Sequence, residues 1–160
     1  MRILKAIVCC LLLLASPCFQ EAQAKNGQED PAAPLRNFVQ QFYDWYVPLA
    51  AKDNTAPAWD VALKRRGSLF SPGLARALQS DSAQQAGATG KIVGLDFDPF
   101  LNSQDPAERY EAGRIVQRGG SYLVEVRGAR SGKKSDKPDV VPELTRKNGR
   151  WQMVAGSIHQ

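Results

Sequence analysis

The segment from Leu95 to Tyr110, LDFDPFLNSQDPAERY, carries a dense set of amide and carboxylate side chains. These side chains belong to Asp96, Asp98, Asn102, Gln104, Asp105 and Glu108. A calcium loop needs oxygen ligands at alternate positions and a glycine at its tight turn. Because Pro99 and Phe100 occupy the middle of this stretch instead, the sequence predicts no metal site here.

Asp98 and Asp105 allow two interpretations. Each precedes a proline, and Asp-Pro pairs typically start turns in which the side chain bonds backbone amides. Alternatively, a desolvated carboxylate beside a tyrosine acts as a general base or orients a polar ligand. The sequence leaves both interpretations open.

Aromatic residues cluster upstream in Phe42-Tyr43-Asp44-Trp45-Tyr46. On a helix, Phe42 and Tyr46 share one stripe with Leu49, and Trp45 lies at its flank. Their large apolar area favours packing in the core.

Residue counts exclude several kinds of chemistry. The one histidine, His159, stands beside the end of the sequence, which rules out a histidine-based triad or a multi-histidine metal site. The glycine pairs lie at strand connections and do not precede a helix, so no phosphate-binding loop is predicted. We therefore expect no cofactor.

The first residues have the three parts of a secretory signal. Arg2 and Lys5 precede the apolar run Ala6–Ala15, which is shorter than the roughly 20 residues that span a bilayer. A small-x-small site allows cleavage after Ala24, so that the mature chain starts at Lys25. We expect a periplasmic or secreted protein without stable membrane insertion.

All three cysteines, Cys9, Cys10 and Cys18, lie in that segment. The mature chain therefore has no thiol nucleophile, disulfide or cysteine metal site. Pro17, where bacterial lipoproteins carry a small residue, argues against lipidation of Cys18. Removing residues 1–24 lowers the formal net charge only from +5 to +4, a mild excess that indicates solubility and not nucleic-acid binding.

The remaining chain is predicted to be a flexible leader, residues 25–33, and one domain, residues 34–160. Apolar spacings of three and four predict a helix from Pro34 that ends near Pro48. A second helix is expected over Ala58–Lys64. A third is capped by Ser71, with small polar residues from Ser80 to Gly90 predicted to form a linker or loop.

After Gly90 the apolar period becomes alternating, which indicates strands. Residues 91–97 suggest a short extended piece. Two hairpins are predicted, Arg109–Gln117 with Ser121–Ala129 and Val140–Arg146 with Arg150–Ser157, the second around an Asn-Gly turn. The residues between the two hairpins, 128–138, are predicted to form a long basic connection. Helices followed by an antiparallel meander predict an α+β fold with the helices on one face.

The motifs FVQQFYDWY at 38–46, DPFLNSQD at 98–105 and YLVEV at 122–126 resemble an uncharacterised family of exported bacterial proteins. The resemblance extends from Leu35 to the end of the chain. That family is placed in the nuclear transport factor 2-like superfamily, which implies a cone-shaped fold with a bent sheet around a long first helix. It also implies a cavity, and the residues expected to line it are Tyr46, Asp98, Gln104, Asp105, Tyr110 and Arg114.

Three functions fit these features. The first is a non-enzymatic module that binds a small ligand or a protein partner, favoured because few catalytic parts are present. The second is a cavity enzyme of isomerase or dehydratase type that uses an Asp and a Tyr. The third is an immunity or inhibitor protein against a secreted toxin. The resemblance also implies pairing of two copies through the outer sheet face.

Overall fold

A computed structural model describes residues 30–52, 56–87 and 95–156. The predicted signal and most of the predicted leader lie outside these residues. The helices are α1 (Ala33–Ala50), α2 (Ala58–Arg66), a 3-10 turn (Gly67–Leu69) and α3 (Pro72–Gly87). The strands are β1 (Arg109–Arg118), β2 (Ser121–Arg130), β3 (Lys133–Lys134), β4 (Glu143–Lys147) and β5 (Arg150–Ala155).

Helix α1 confirms the predicted amphipathic helix. Its buried residues are Leu35, Val39, Phe42, Tyr43, Tyr46, Val47 and Leu49. The helix ends close to the predicted place, at Ala50, two residues after Pro48. Proline lacks one backbone donor, and at the exposed start of the last turn this loss does not stop the helix.

Helix α3 begins as predicted, because the Ser71 hydroxyl accepts a hydrogen bond from the Leu74 amide at 3.2 Å. The expectation of a linker from Ser80 was wrong for the first part of that stretch, since α3 runs to Gly87. Ser82 explains the difference. Its hydroxyl accepts from Trp59 Nε1 at 3.1 Å and donates to Asp60 at 2.8 Å, which ties α3 to α2.

The sheet is antiparallel with strand order β1-β2-β4-β5, and both predicted hairpins are confirmed. Gly119, Asn148 and Gly149 supply positive φ angles at the turns, as tight hairpins require. The predicted long connection over 128–138 was wrong in part. Residues up to Arg130 continue β2, and β3 pairs back onto β2. The predicted piece at 91–97 falls mostly outside the described residues, and residues 95–97 form no strand.

Helix α1 lies against one face of the sheet, which we call the inner face, and so confirms the α+β arrangement. The Gln40 amide acts as a clamp: Nε2 donates to the Tyr110 carbonyl and Oε1 accepts from the Ala112 amide, each at 2.9 Å. The clamp sits beside a register irregularity between Ala112 and Ile115. Within the described ranges, no helix combines the length and apolar character needed to cross a membrane.

Candidate functional site

Asp98 organises the turn that precedes the sheet. Its Oδ1 accepts hydrogen bonds from the amides of Phe100 at 2.8 Å and Leu101 at 3.1 Å, which confirms the Asp-Pro turn interpretation. The turn packs tightly against the end of β5, since a Cβ atom on Gly156 would lie 2.5 Å from the Pro99 carbonyl oxygen. Asp98 is thereby held in one position.

Tyr46 reaches this turn from the last part of α1. It is fully buried, and its hydroxyl donates to Asp98 Oδ2 at 2.7 Å. Tyr43 donates to the Phe100 carbonyl at 3.0 Å. The Tyr110 hydroxyl accepts from the Ala107 amide at 3.2 Å. Three tyrosine hydroxyls therefore hold the segment around Asp98 against α1 and β1.

Aromatic rings fill the space between α1 and the inner face at this end of the sheet. The Phe42 ring centroid lies 5.0 Å from that of Tyr46, 6.0 Å from Phe70 and 5.4 Å from Phe100. Tyr43 stacks on Tyr110 at 5.5 Å. The packing interpretation of the aromatic cluster is therefore confirmed, and these tyrosine hydroxyls bond protein atoms.

Burial shifts the pKa values of Asp98 and Tyr46. Desolvation raises the pKa of the Asp98 carboxyl, although the hydrogen bonds from Tyr46, Phe100 and Leu101 act in the opposite direction. Burial and the nearby Asp98 charge raise the pKa of Tyr46. Tyr46 is therefore a neutral hydrogen-bond donor, and ionised Asp98 carries a net desolvation cost.

Asp98 has few acceptor positions left for a ligand or substrate. An ionised carboxylate offers about four acceptor positions, and Asp98 already accepts three hydrogen bonds. Its remaining exposure is to a groove of 310 Å³ that Trp59, Phe97 and Gln104 also line. This arrangement is typical of a structural carboxylate that fixes a turn.

The other predicted site residues lie apart from this buried group. Gln104 is exposed and donates to the Asp96 carbonyl at 2.9 Å. Asp105 is also exposed, and the prediction that its side chain bonds backbone amides was wrong. Ser103 Oγ closes this turn instead, donating to the Asp105 carbonyl at 2.6 Å and accepting from the Asp105 amide. The Arg114 side chain is 72% exposed and lies 3.8 Å from Glu125. Thus the structure brings Tyr46, Asp98 and Tyr110 together, and Gln104 lines the same groove as Asp98.

A second groove lies at the other end of the sheet, where both hairpins turn. This hairpin-end groove has a volume of 350 Å³. It is lined by Pro31, Ala32, Leu35, Ile115, Gln117, Tyr122, Arg146 and Trp151. It occupies the inner face beyond the first turn of α1, where the helix no longer covers the strands.

Two aromatic rings and one arginine define the hairpin-end groove. The Tyr122 and Trp151 rings meet edge to face, with centroids 5.2 Å apart. The Arg146 guanidinium carbon lies 5.6 Å from the Trp151 ring centroid, and Arg146 Nε donates to the Gly149 carbonyl at 3.3 Å. Among residues 30–52, 56–87 and 95–156, no carboxylate forms an ion pair with Arg146.

Sequence reasoning assigned Tyr122, Arg146 and Trp151 to strands without giving them a role. A signal was available, because the Asn-Gly turn fixes the pairing of β4 with β5 and places Arg146 opposite Trp151. Alternation along β2 then puts Tyr122 on the same face as buried Val124 and Val126. The start of α1 completes the groove, and its position was not predictable from the strand pattern.

Comparison of the chain with family models, with curated proteins and with solved structures gave no match. In the part of the chain that the structure describes, no group of three or more His, Cys, Asp or Glu side chains is placed to hold a metal ion.

Proposed function

We propose that this protein is an exported, non-enzymatic binding module whose ligand occupies the hairpin-end groove. The observation that carries the proposal is the contrast in hydrogen bonding between two places. Asp98, the best catalytic candidate, accepts three hydrogen bonds from its own chain. Arg146 and the edges of Tyr122 and Trp151 face an open groove.

The shape of this groove supports binding. A volume of 350 Å³ lies at the lower end of the range of small-molecule sites. Such sites are mostly apolar, with a few polar groups that orient the ligand. Here Leu35, Ile115, Tyr122 and Trp151 supply apolar surface, and Arg146 and Gln117 supply the polar groups.

We also propose that the protein is exported and that its fold is of the nuclear transport factor 2-like type. A signal segment at residues 1–24 would export the protein to the periplasm or beyond the cell. A nuclear transport factor 2-like cone would leave one end of its sheet uncovered by the helix. The α+β arrangement, with α1 on the inner face, is compatible with such a cone.

One observation favours a second candidate, the Asp/Tyr cavity enzyme. Asp98 has a raised pKa, contacts Tyr46 and borders a groove of 310 Å³. A general base needs a free acceptor position toward the substrate, and three of the acceptor positions of Asp98 are taken. The immunity role stays an untested alternative that requires a protein partner.

A titration of aromatic fragments locates the site. Backbone amide shifts of the full chain would be followed by NMR during addition of phenylacetate, phenylacetamide and phenethylamine. We expect at least one fragment to shift Leu35, Tyr122 and Trp151 in a saturable way. Shifts confined to Trp59, Phe97 and Asp98 would support the cavity enzyme and contradict the proposal.

A further inference from the structure

The geometry points to a small amphiphilic carboxylate as the ligand class of the hairpin-end groove: an apolar body packed on Tyr122 and Trp151, with its carboxylate on Arg146. This inference rests on the proposed function and names the chemistry that the same groove would select.

The floor of the groove offers an apolar surface for the uncharged part of the ligand. Leu35 is buried, and Ile115, Tyr122 and Trp151 are half-buried. Because the Tyr122 and Trp151 rings meet edge to face at 5.2 Å, they form a corner against which one ring or a short branched chain can pack. Packing such a group there removes apolar surface from water, which favours binding.

Arg146 would bind the carboxylate of the ligand. Its Nε bonds the Gly149 carbonyl, and within the described ranges its two terminal nitrogens bond no protein atom. A guanidinium binds a carboxylate through two parallel hydrogen bonds. Asp30, which precedes the groove residues Pro31 and Ala32 in the chain, is already engaged by Arg36 and by the Ala32 amide. Thus Arg146 has no internal competitor among the described residues.

Two other arginines of the sheet have a carboxylate partner within the chain. Arg127 lies 3.4 Å from Glu125, and Arg130 lies 3.5 Å from Asp139. Arg146 differs because it lines the hairpin-end groove beside Tyr122 and Trp151 and has no carboxylate partner among the described residues. An anionic ligand would supply the carboxylate that Arg127 and Arg130 find within the chain.

A small molecule fits better than an acidic protein segment. Arg146 is the one cation that lines the groove among the described residues. Lys147 and Arg150 flank the same turn, but strand alternation puts them on the opposite face. A segment with several acidic residues would need several cations on one surface, and this groove offers one.

The test compares an acid with its matched amide. Phenylacetate and phenylacetamide share the ring and differ in charge, so their dissociation constants isolate the contribution of Arg146. We expect phenylacetate to bind the full chain about tenfold more tightly, which corresponds to about 1.4 kcal/mol, with NMR shifts at Tyr122, Arg146 and Trp151.

Two variants of equal charge complete the design. Arg146→Gln should reduce phenylacetate binding to the level of the amide, whereas Arg150→Gln should leave it unchanged. Circular dichroism of both variants would show that the fold is kept. Equal affinity for acid and amide, or equal loss in both variants, would overturn the carboxylate assignment and leave the groove as the binding site. Absence of groove shifts with either fragment up to about 10 mM would overturn the proposed function as well.

Discussion

The two ends of the sheet use the same kinds of residue in opposite ways. At the Asp98 end, the tyrosines are buried, and the half-buried Asp98 carboxylate is bonded to Tyr46 and to backbone amides. At the hairpin end, Tyr122, Trp151 and Arg146 are half-buried or exposed around a groove. Buried polar groups with complete hydrogen bonds stabilise a unique fold, and open ones are available to a ligand. On the function proposed above, one end would stabilise the fold and the other would bind the ligand.

The two faces of the sheet differ in a similar way. The outer face carries ion pairs, with Glu125 close to both Arg114 and Arg127 and with Glu111 close to Arg109 and Lys134. Exposed pairs of this kind contribute little to stability. Among the described residues, the Arg146 guanidinium faces the groove without such a pair.

The largest effect is expected for Asp98→Ala. This change leaves the Tyr46 hydroxyl and two backbone amides without their acceptor in a buried place, and each such group costs about 1–3 kcal/mol. We expect the free energy of unfolding to fall by about 3–5 kcal/mol, measured by urea denaturation. Asp98→Asn is the matched control, because its amide keeps an acceptor for the two backbone donors. A loss below about 1 kcal/mol in Asp98→Ala would show that this end does not carry the stability.

A smaller effect is expected for Tyr46→Phe. The change removes one charge-assisted hydrogen bond to Asp98, which corresponds to about 1–3 kcal/mol. It also removes a contact that lowers the Asp98 pKa, so this pKa should rise further. Carboxyl carbon NMR during a pH titration would measure it. An unchanged or lower Asp98 pKa in Tyr46→Phe would contradict the geometry described here.

At the hairpin end, Trp151→Leu should cost only about 1 kcal/mol, because Trp151 is half-buried and leucine keeps part of its apolar contact. Arg146→Gln should change stability by less than about 0.5 kcal/mol. Thermal and urea unfolding would measure both. A loss in Trp151→Leu as large as that in Asp98→Ala would mean that the groove is part of the stabilising core.

The smallest effect is a pH dependence. Because burial raises the pKa of the Asp98 carboxyl above its usual value, the folded state binds its proton more tightly than the unfolded state. The free energy of unfolding should therefore fall as pH rises from about 4 through the folded pKa. Asp30 and Glu111 have lowered pKa values and act in the opposite direction. Subtracting the free energy of unfolding of Asp98→Asn from that of the wild type cancels the contributions of Asp30 and Glu111. If this difference in free energy stays constant with pH, the pKa of Asp98 is not raised.

Local signals predicted much of this fold. Apolar spacing predicted α1, Ser71 and Pro72 marked the start of α3, and glycines marked both hairpins. The length of α3 was missed because it depends on the contact of Ser82 with Trp59, which lies 23 positions away. At the candidate site, the Asp98 turn was predictable from the following proline. Its bond to Tyr46 spans 52 positions, and the groove needs α1 and four strands in place, so neither could be derived from local pattern alone.

The most direct test of this division between the two ends is phenylacetate binding to two variants measured side by side. Asp98→Asn changes the stabilising end, and Trp151→Leu changes the groove. By NMR titration, we expect Asp98→Asn to bind as the wild type does and Trp151→Leu to bind about tenfold more weakly. Loss of binding in Asp98→Asn with full binding in Trp151→Leu would place the site at Asp98 and contradict the proposed function.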